Sequence, residues 1–492
     1  VTSFIAADLS LTGLSREHQD ILNRLNAQLT SKYTRNDLRR RYRDYHIGLK
    51  DLGISIPPAL RTLDTVLGWP AKAVETLARR TVVENFTVPG GSADSLGVTE
   101  LVDQNQLASD LPQAISDAYT FATSFVSVSL GNKSTGEPPV LILPRSAMYA
   151  TGLWDPRRRG LSSGLSVVSS DATTGAACLI LYLPDRVLTL ETQDGRGWQI
   201  EDSPNPLGFV TMFPLPYKPS LDHPFGRSRI SRPVMSLTDS AVRTLVRAEV
   251  SAEFYSSPQR WVMGADESAF KDKDGKPIPA WQATLGRVWA LGPNTEDSLD
   301  GTPITPSVGQ FTQQSMEPHM SHLRQLAQSF ASETSLPISA LGIVQDNPSS
   351  AEAIYASEKD LVIEAEYANL GFSGPLQRAI KAALMLTGVP AEEAGKVRAS
   401  FRNPAHPTAA ASADAAIKLI GAGVIQPDSE VTYDMLNFPE AQREVLRAEA
   451  RRARASLALS SLLTPKGAVD GQPIGDSPAA PAEPTNQPAV TQ

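Results

Sequence analysis

The sequence predicts an α+β fold, and three observations carry that expectation. Residues 231–256 repeat apolar side chains at spacings of three and four, the period of a helix, on two adjacent faces. Between residues 82 and 219, short β-like runs alternate with helical pieces, broken by proline and glycine at close intervals. Beyond residue 311 the pattern is helical again. The chain has 492 residues, of which 41% are hydrophobic. That is enough for about three domains or one elaborated fold with real cores.

The elements follow in order. Ser15 caps a first helix that runs through Ile21, Leu22, Leu25 and Leu29, and a second helical run rich in Arg and Tyr spans 36–45. Pro57 and Pro58 interrupt, and Pro70 then opens a short helix over 71–80. Helical pieces at 101–108 and 112–121 alternate with β-like runs at 125–128, 140–143, 177–183 and 208–213, which suits one domain with a mostly antiparallel sheet. In the long helix, Val234, Leu237, Ala241, Leu245, Ala248, Ala252 and Tyr255 form one stripe. Val242, Val246, Val250 and Phe254 form a second beside it. Two stripes mean packing on two sides, as in a core helix or a helix wedged between its own subunit and a neighbour.

Residues 259–264 and 287–291, with a turn at 272–276, read as a small β-rich insertion that ends in a Pro/Gly-rich loop, 292–309. A helix over 311–333 follows, then a loop of turn-forming residues from 336 to 348. Ser349 as N-cap and Glu352 three residues on make a capping box, opening a helix to about 369. Two further helices, 408–420 and 439–457, precede a Pro-, Ala-, Gly- and Gln-rich segment that reads as a flexible tail.

Composition excludes several classes. The net charge of −8 argues against a generic nucleic-acid binder. The clusters Arg39-Arg40-Arg41, Arg157-Arg158-Arg159 and Arg451-Arg452 read as solvated surface or subunit contacts. A single cysteine, Cys178, rules out an intramolecular disulfide and a cysteine-based zinc site; its apolar setting predicts a buried structural thiol. No apolar run is long enough to span a bilayer, and residues 1–8 lack the basic start of a secretory signal. A soluble protein of a reducing compartment is expected.

Catalytic signatures are weak. Neither a phosphate-binding Gly-x-x-x-x-Gly-Lys loop nor a dinucleotide fingerprint occurs. Gly160-Leu161-Ser162-Ser163-Gly164 matches the string of a serine-hydrolase elbow. The polar residues 154–159 before it are no buried strand, so a Gly/Ser turn is the better reading and a hydrolase built on Ser162 the alternative. His319 and His322 sit one helical turn apart near Glu317, without a clear third and fourth ligand for a metal. Asp272-Lys273-Asp274-Gly275 lacks the closing Glu of a calcium loop and reads as a hairpin turn. No catalytic residue, cofactor or metal is expected. The helix after Ser349 is acidic on one side, with Glu352, Glu358, Asp360, Glu364 and Glu366 against Lys359. Its bland explanation is a solvated face; its functional one is a wall repelling a polyanion.

In this order the chain resembles the portal proteins of tailed bacteriophages, particularly those of phages infecting actinobacteria. The likeness rests on residues 68–75 (Gly68-Trp69-Pro70-Ala71), on 225–260 from Phe225-Gly226-Arg227 to Pro258-Gln259-Arg260, on Leu341-Gly342 with 348–354, and on 415–423. The resemblance implies a wing (1–227), two stem helices (228–257 and 309–335) and a clip (258–308) between them. It also implies a tunnel loop with its long helix (336–373), a wing return and helical crown (374–462), and a tail (463–492). A ring usually of twelve subunits would sit at the capsid vertex of the virion, having assembled in the host cytoplasm. It would surround a channel through which double-stranded DNA is packaged and ejected without sequence specificity.

The implied partners are further copies of the chain, the terminase large subunit, a head–tail adaptor, and the major capsid and scaffolding proteins, with no membrane. By the same resemblance Gln345, Asp346, Asn347, Ser349, Glu352, Glu358 and Asp360 line the channel. Asp272, Lys273, Asp274 and Lys276 in the clip dock terminase or adaptor. Leu237, Val242, Leu245, Val246, Val250 and Phe254 make stem contacts between subunits. Twelve chains of formal charge −8 carry roughly −96, which suits a lumen along which DNA slides without sticking.

Overall fold

The computed structural model describes residues 11, 13–48, 50, 65–89, 96–132, 136–171, 173–174, 176–194, 197–255, 260–264, 271, 275–277, 305–312, 315–343, 351–405, 409–436, 438 and 440–463. The contacts divide the chain into two units, Val1–Ala405 and His406–Gln492. The first mixes helices with antiparallel sheets, as the α+β expectation requires.

Helix α1 (Arg16–Arg43) starts where Ser15 Oγ accepts the His18 amide. It is one helix, not the two expected, because residue 36 is held from outside: buried Asn36 donates its side-chain amide to the Ala147 carbonyl at 3.0 Å. Its Leu22, Leu25 and Leu29 pack on a five-stranded antiparallel sheet. That sheet comprises β4 (Ala150–Asp155), β5 (Gly160–Ser170), β6 (Ala177–Tyr182), β7 (Arg186–Thr192) and β8 (Gln199–Pro204), in sequential order. The register sets Leu165 opposite Leu181 and Leu179 opposite Leu190, so alternate residues of neighbouring strands share the buried face.

A second antiparallel sheet has the order β3 (Val140–Ser146), β2 (Thr123–Leu130), β9 (Met212–Pro216). It belongs to the main core with α2 (Trp69–Ala78) and α4 (Leu107–Phe121); a short α3 (Val98–Gln104) precedes α4. A third pairing joins β1 (Val83–Thr87) to β12 (Arg398–Phe401).

Cys178 departs from expectation. It is half-exposed on β6 rather than buried, and its thiol reaches Glu191 on β7 at 3.5 Å. Partial burial, then the Glu191 carboxylate, push the thiol up to about 11.

The long helix is present as α5 (Arg232–Tyr255), and it packs along α6 (Glu317–Thr334). α6 begins six residues later than the pattern suggested, with Pro318 in its first turn. A ribbon of β10 (Arg260–Met263) and β11 (Ser307–Gln310) lies between them in sequence. A 3-10 turn at Ile338–Leu341 leads towards α7 (Ala351–Leu386).

α7 runs well past the expected end near 369. Leu361, Ala365, Ala368, Phe372, Leu376, Ala379 and Ala383 form a buried stripe, and that burial carries the helix through Gly371, Gly374 and Pro375. The short α8 (Ala391–Ala394) then leads to β12.

The second unit is helical: α9 (Ala409–Gly421), α10 (Glu430–Met435) and α11 (Glu440–Leu463). Ser429 caps α10 by accepting the Thr432 amide. Arg447 makes a two-pronged pair with Glu430 at 2.6 and 2.8 Å, holding that carboxyl below its usual range. Arg443, buried, donates to the Asp434 carboxylate and the Phe438 carbonyl. The tail expected from 463 lies, apart from Leu463, outside the described residues.

Candidate functional site

The acidic side of α7 separates into two populations. Glu364 turns inward at the meeting point of four elements. Arg229, its side chain 3% exposed, approaches Glu364 at 3.7 Å from the segment before α5. The same guanidinium donates to the Ala73 carbonyl on α2 at 2.6 Å, to the Tyr217 hydroxyl at 3.0 Å, and to the Thr334 carbonyl at the end of α6. Lys218 pairs with Glu364 at 2.7 Å, and the Tyr217 hydroxyl donates to it as well. Burial raises the Glu364 pKa, but hydrogen bonds from Lys218 and Tyr217 and the charges of Lys218 and Arg229 outweigh it. The carboxyl therefore sits below its ordinary range.

Glu358 is also committed within the subunit. It accepts from Arg80 at 2.8 Å, and Arg80 in turn donates to the Pro404 carbonyl. Glu358, expected with Asp360 on the channel face, thus carries an ion pair within the subunit, its side chain 28% exposed. Asp360 and Glu366 are exposed. Asp360 stands at an open cavity of about 250 Å³ with Ser332, Ser335, Pro337 and Ser357. Glu352 lies in α7 but its side chain is not among those described, and Gln345, Asp346, Asn347 and Ser349 lie outside the described residues.

The helix pair α5/α6 keeps one buried side along α5, with exposed apolar groups beyond it. At the core end Val234, Ala241, Ala327 and Phe330 are buried in the main cluster. Leu237, between Val234 and Ala241, is half-buried; farther out Val246 and Val250 are buried while Val242 and Leu245 are half-buried, and the side chain of Phe254 is not described. Met320, Met263, Val308 and Phe311 are exposed, so apolar surface gathers at the end away from the core. Tyr42 and Lys50 meet Asp239 on the α5 flank, with Lys50 to Asp239 at 2.6 Å. Of the four clip candidates only Lys276 is described, and it is exposed; Asp272, Lys273 and Asp274 are not described. Lys271 and Pro277 form an antiparallel bridge, and Gly275 has a positive φ.

The catalytic alternatives lose their geometry. Ser162 lies within strand β5, not in a strand-to-helix elbow and not in a turn, and its hydroxyl donates to the Leu153 carbonyl at 3.3 Å. His319 meets Ser251 across α5/α6 at 3.3 Å. Among the described residues no group of three or more His, Cys, Asp or Glu could hold a metal ion, and no helix is long and apolar enough to cross a membrane.

Sequence reasoning missed the partners of Glu364. One signal was available: Glu364 adjoins Leu361 and Ala365 on the apolar stripe, where a carboxylate needs a cation.

The portal protein of Mycobacterium phage L5 is 29% identical over 451 residues, covering 89% of each chain. The portal protein of Mycobacterium phage D29 is 28% identical over 407 residues, covering 80% of this chain and 81% of that one. A chain in the virion of a native gene transfer agent particle is similar at TM-score 0.39 and 15% identity, over 75% of this chain and 90% of that one. The family model described as phage portal protein, SPP1 Gp6-like, matches residues 18–456, and this chain belongs to that family.

Proposed function

We propose that the chain assembles into a closed ring, a dodecamer in the virion, at one capsid vertex, and that double-stranded DNA passes through its centre during packaging and ejection. Family membership supports this reading, and one observation carries it to the ring. The α5/α6 pair and its ribbon leave Met263, Val308, Phe311 and Met320 exposed, an apolar surface that a lone subunit leaves in water. In this reading residues 1–227 form the wing and 228–257 with 309–335 the stem. Residues 258–308 form the clip, 336–373 the tunnel loop and the first part of its helix, and 374–462 the wing return and crown. Val242 and Leu245, half-buried on α5, face a neighbouring stem, and Leu237, Val246, Val250 and Phe254 support the same packing.

In this reading the channel wall is built from Gln345, Asp346, Asn347, Ser349, Glu352, Glu358 and Asp360, with Arg80 holding Glu358 in place. The clip, through residues 272–274 and 276, offers charges of both signs to terminase and then to a head–tail adaptor. No motor motif is required of the portal itself, since the terminase would supply ATP hydrolysis. Native mass spectrometry and negative-stain microscopy of purified protein test the ring. Closed rings of about twelve copies are expected; a monomer at micromolar concentration and moderate salt would overturn the reading.

A further inference from the structure

The cations at the end of α1 divide into two sets. Arg40 and Arg41 both pair with Asp37, at 2.6 and 2.9 Å, and Arg43 pairs with Asp44 and Asp117. Arg39 instead donates from Nη1 to two neutral acceptors, the Phe121 carbonyl at 3.3 Å and Asn36 Oδ1 at 3.4 Å. Lys32 and Arg35 share its side of the helix. At 100° per residue, positions 32 and 39 stand almost in line, with 35 about 60° away. Among the described residues no carboxylate lies within 4.0 Å of Lys32, Arg35 or Arg39. Burial, then the charge of Arg35, lower the pKa of Lys32, and the same two causes bring Arg39 down to about 10. Three like charges thus repel one another without a counter-charge, a tension that an anion among them would relieve.

All three line a cavity of about 270 Å³, together with Phe121, Phe125 and Phe225. The Lys32 ammonium lies 4.9 Å from the centre of the Phe225 ring. The frame is fixed on two sides. Buried Asn36 anchors this face of α1 to the Ala147 carbonyl. The turn that carries Phe225 is held by mutual backbone hydrogen bonds of Ser220 and His223 and by the Gly226 amide on the His223 carbonyl. Asp222 is the carboxylate in the lining, and it is already engaged. Ser220 Oγ donates to it at 2.6 Å, His223 Nδ1 lies at 2.5 Å and Arg227 at 3.9 Å.

We infer that this cavity is a phosphate site, in which Lys32, Arg35 and Arg39 hold the oxygens of a phosphate group carried by a small molecule or by a nucleic acid. Charge selects the ligand. A carboxylate brings one negative charge and two oxygens, whereas a phosphate monoester brings nearly two charges and three acceptor oxygens. Only the second matches three cationic groups around one hollow. Arg39 Nε and Nη2 make no hydrogen bond among the described residues, which leaves an edge of the guanidinium for a two-pronged contact. The aromatic walls lower the local dielectric and so strengthen each of these contacts. The site is complete in one subunit and stands independently of the ring reading.

Thermal melts and isothermal titration calorimetry of the full chain test it, with inorganic phosphate as first probe and chloride at matched ionic strength as control. Phosphate should raise the melting temperature above the chloride control, and Lys32→Gln combined with Arg35→Gln should abolish the rise. Both side chains are exposed, so in chloride the double variant should melt with the wild type. Each cation removed should weaken phosphate binding about tenfold, the worth of one charge-assisted hydrogen bond. A short DNA duplex is the second probe and identifies the source. Duplex binding weakened by the double variant places the phosphate in a nucleic acid; phosphate binding with duplex binding unaffected places it on a small molecule. A double variant that binds phosphate as the wild type does overturns the site. So does a wild type that answers phosphate no more than chloride while its duplex binding is unchanged by the double variant.

Discussion

Arg229 has a partner for each guanidinium nitrogen: the Ala73, Tyr217 and Thr334 oxygens by hydrogen bonds, with Glu364 at 3.7 Å. A charge this deeply buried is tolerable only while that set is complete, because desolvation is repaid by the pairing alone. Arg229→Met leaves Glu364 partly uncompensated and strips two carbonyls of donors. It should cost about 3–5 kcal/mol in urea unfolding. Glu364 carries the pH dependence. Its pKa lies below the unfolded value of about 4.3, so its contribution to stability is fully present above that value. The contribution is lost as pH falls through the lowered folded value. Melting curves should therefore show the wild type above Glu364→Gln near pH 6, with the gap closing as pH falls below the unfolded value of about 4.3 and through the lowered folded one. A gap that stays constant with pH would mean that Glu364 contributes through shape and not through charge.

At the scale of elements, two glycines are expected to answer oppositely. Gly374 lies inside α7, and a Cβ there meets nothing within 4 Å, so Gly374→Ala should gain about 1 kcal/mol from helix propensity. Gly226 has φ +76°, and a Cβ would stand 2.1 Å from the Tyr217 carbonyl oxygen, so Gly226→Ala should lose about 2 kcal/mol or more. Thermal melts of both variants check the pair.

Elements with strong periodicity were legible from sequence. The two-stripe pattern placed α5 to within a residue at each end, and the apolar runs at 125–128, 140–143 and 177–183 fall within or overlap β2, β3 and β6. Other features depended on contacts remote in sequence. Asn36 joins two helical runs into α1 through Ala147, 111 positions away. Phe372 and Leu376 carry α7 past its glycines by burial that local propensity does not register. The acidic face of α7 was visible as a pattern, yet only the positions of Arg80 and Arg229 decide which carboxylates remain free. Those cations lie 278 and 135 residues before their partners.

For the whole molecule, the channel reading reduces to a charge experiment on a residue that has no ion-pair partner within 4.0 Å among the described residues. Asp360→Lys should leave rings intact, because its side chain is exposed. Repeated around a ring, the substitution adds a lysine from every subunit to the proposed DNA path, and each would hold a phosphate through counterion release. DNA packaged per procapsid should fall, with partial recovery as salt is raised. Glu358→Lys should instead disturb the subunit itself by facing Arg80 with a like charge. Normal packaging by Asp360→Lys would return that face of α7 to plain solvated surface.

The Arg229 junction also bears on how load travels. α5 stays in the main core as far as Ala241, so that about 14 residues, about 21 Å, extend beyond it as an arm, and α6 returns to the junction at Thr334. A sideways push at the free end of that pair reaches Arg229 as torque, with the arm's length as its leverage. The guanidinium grips α2 and the end of α6 directly and lies against Glu364 on α7, so it links the base of the arm to that helix. A tilt of the arm would then be felt at α7 as a displacement of the helix that carries Asp360.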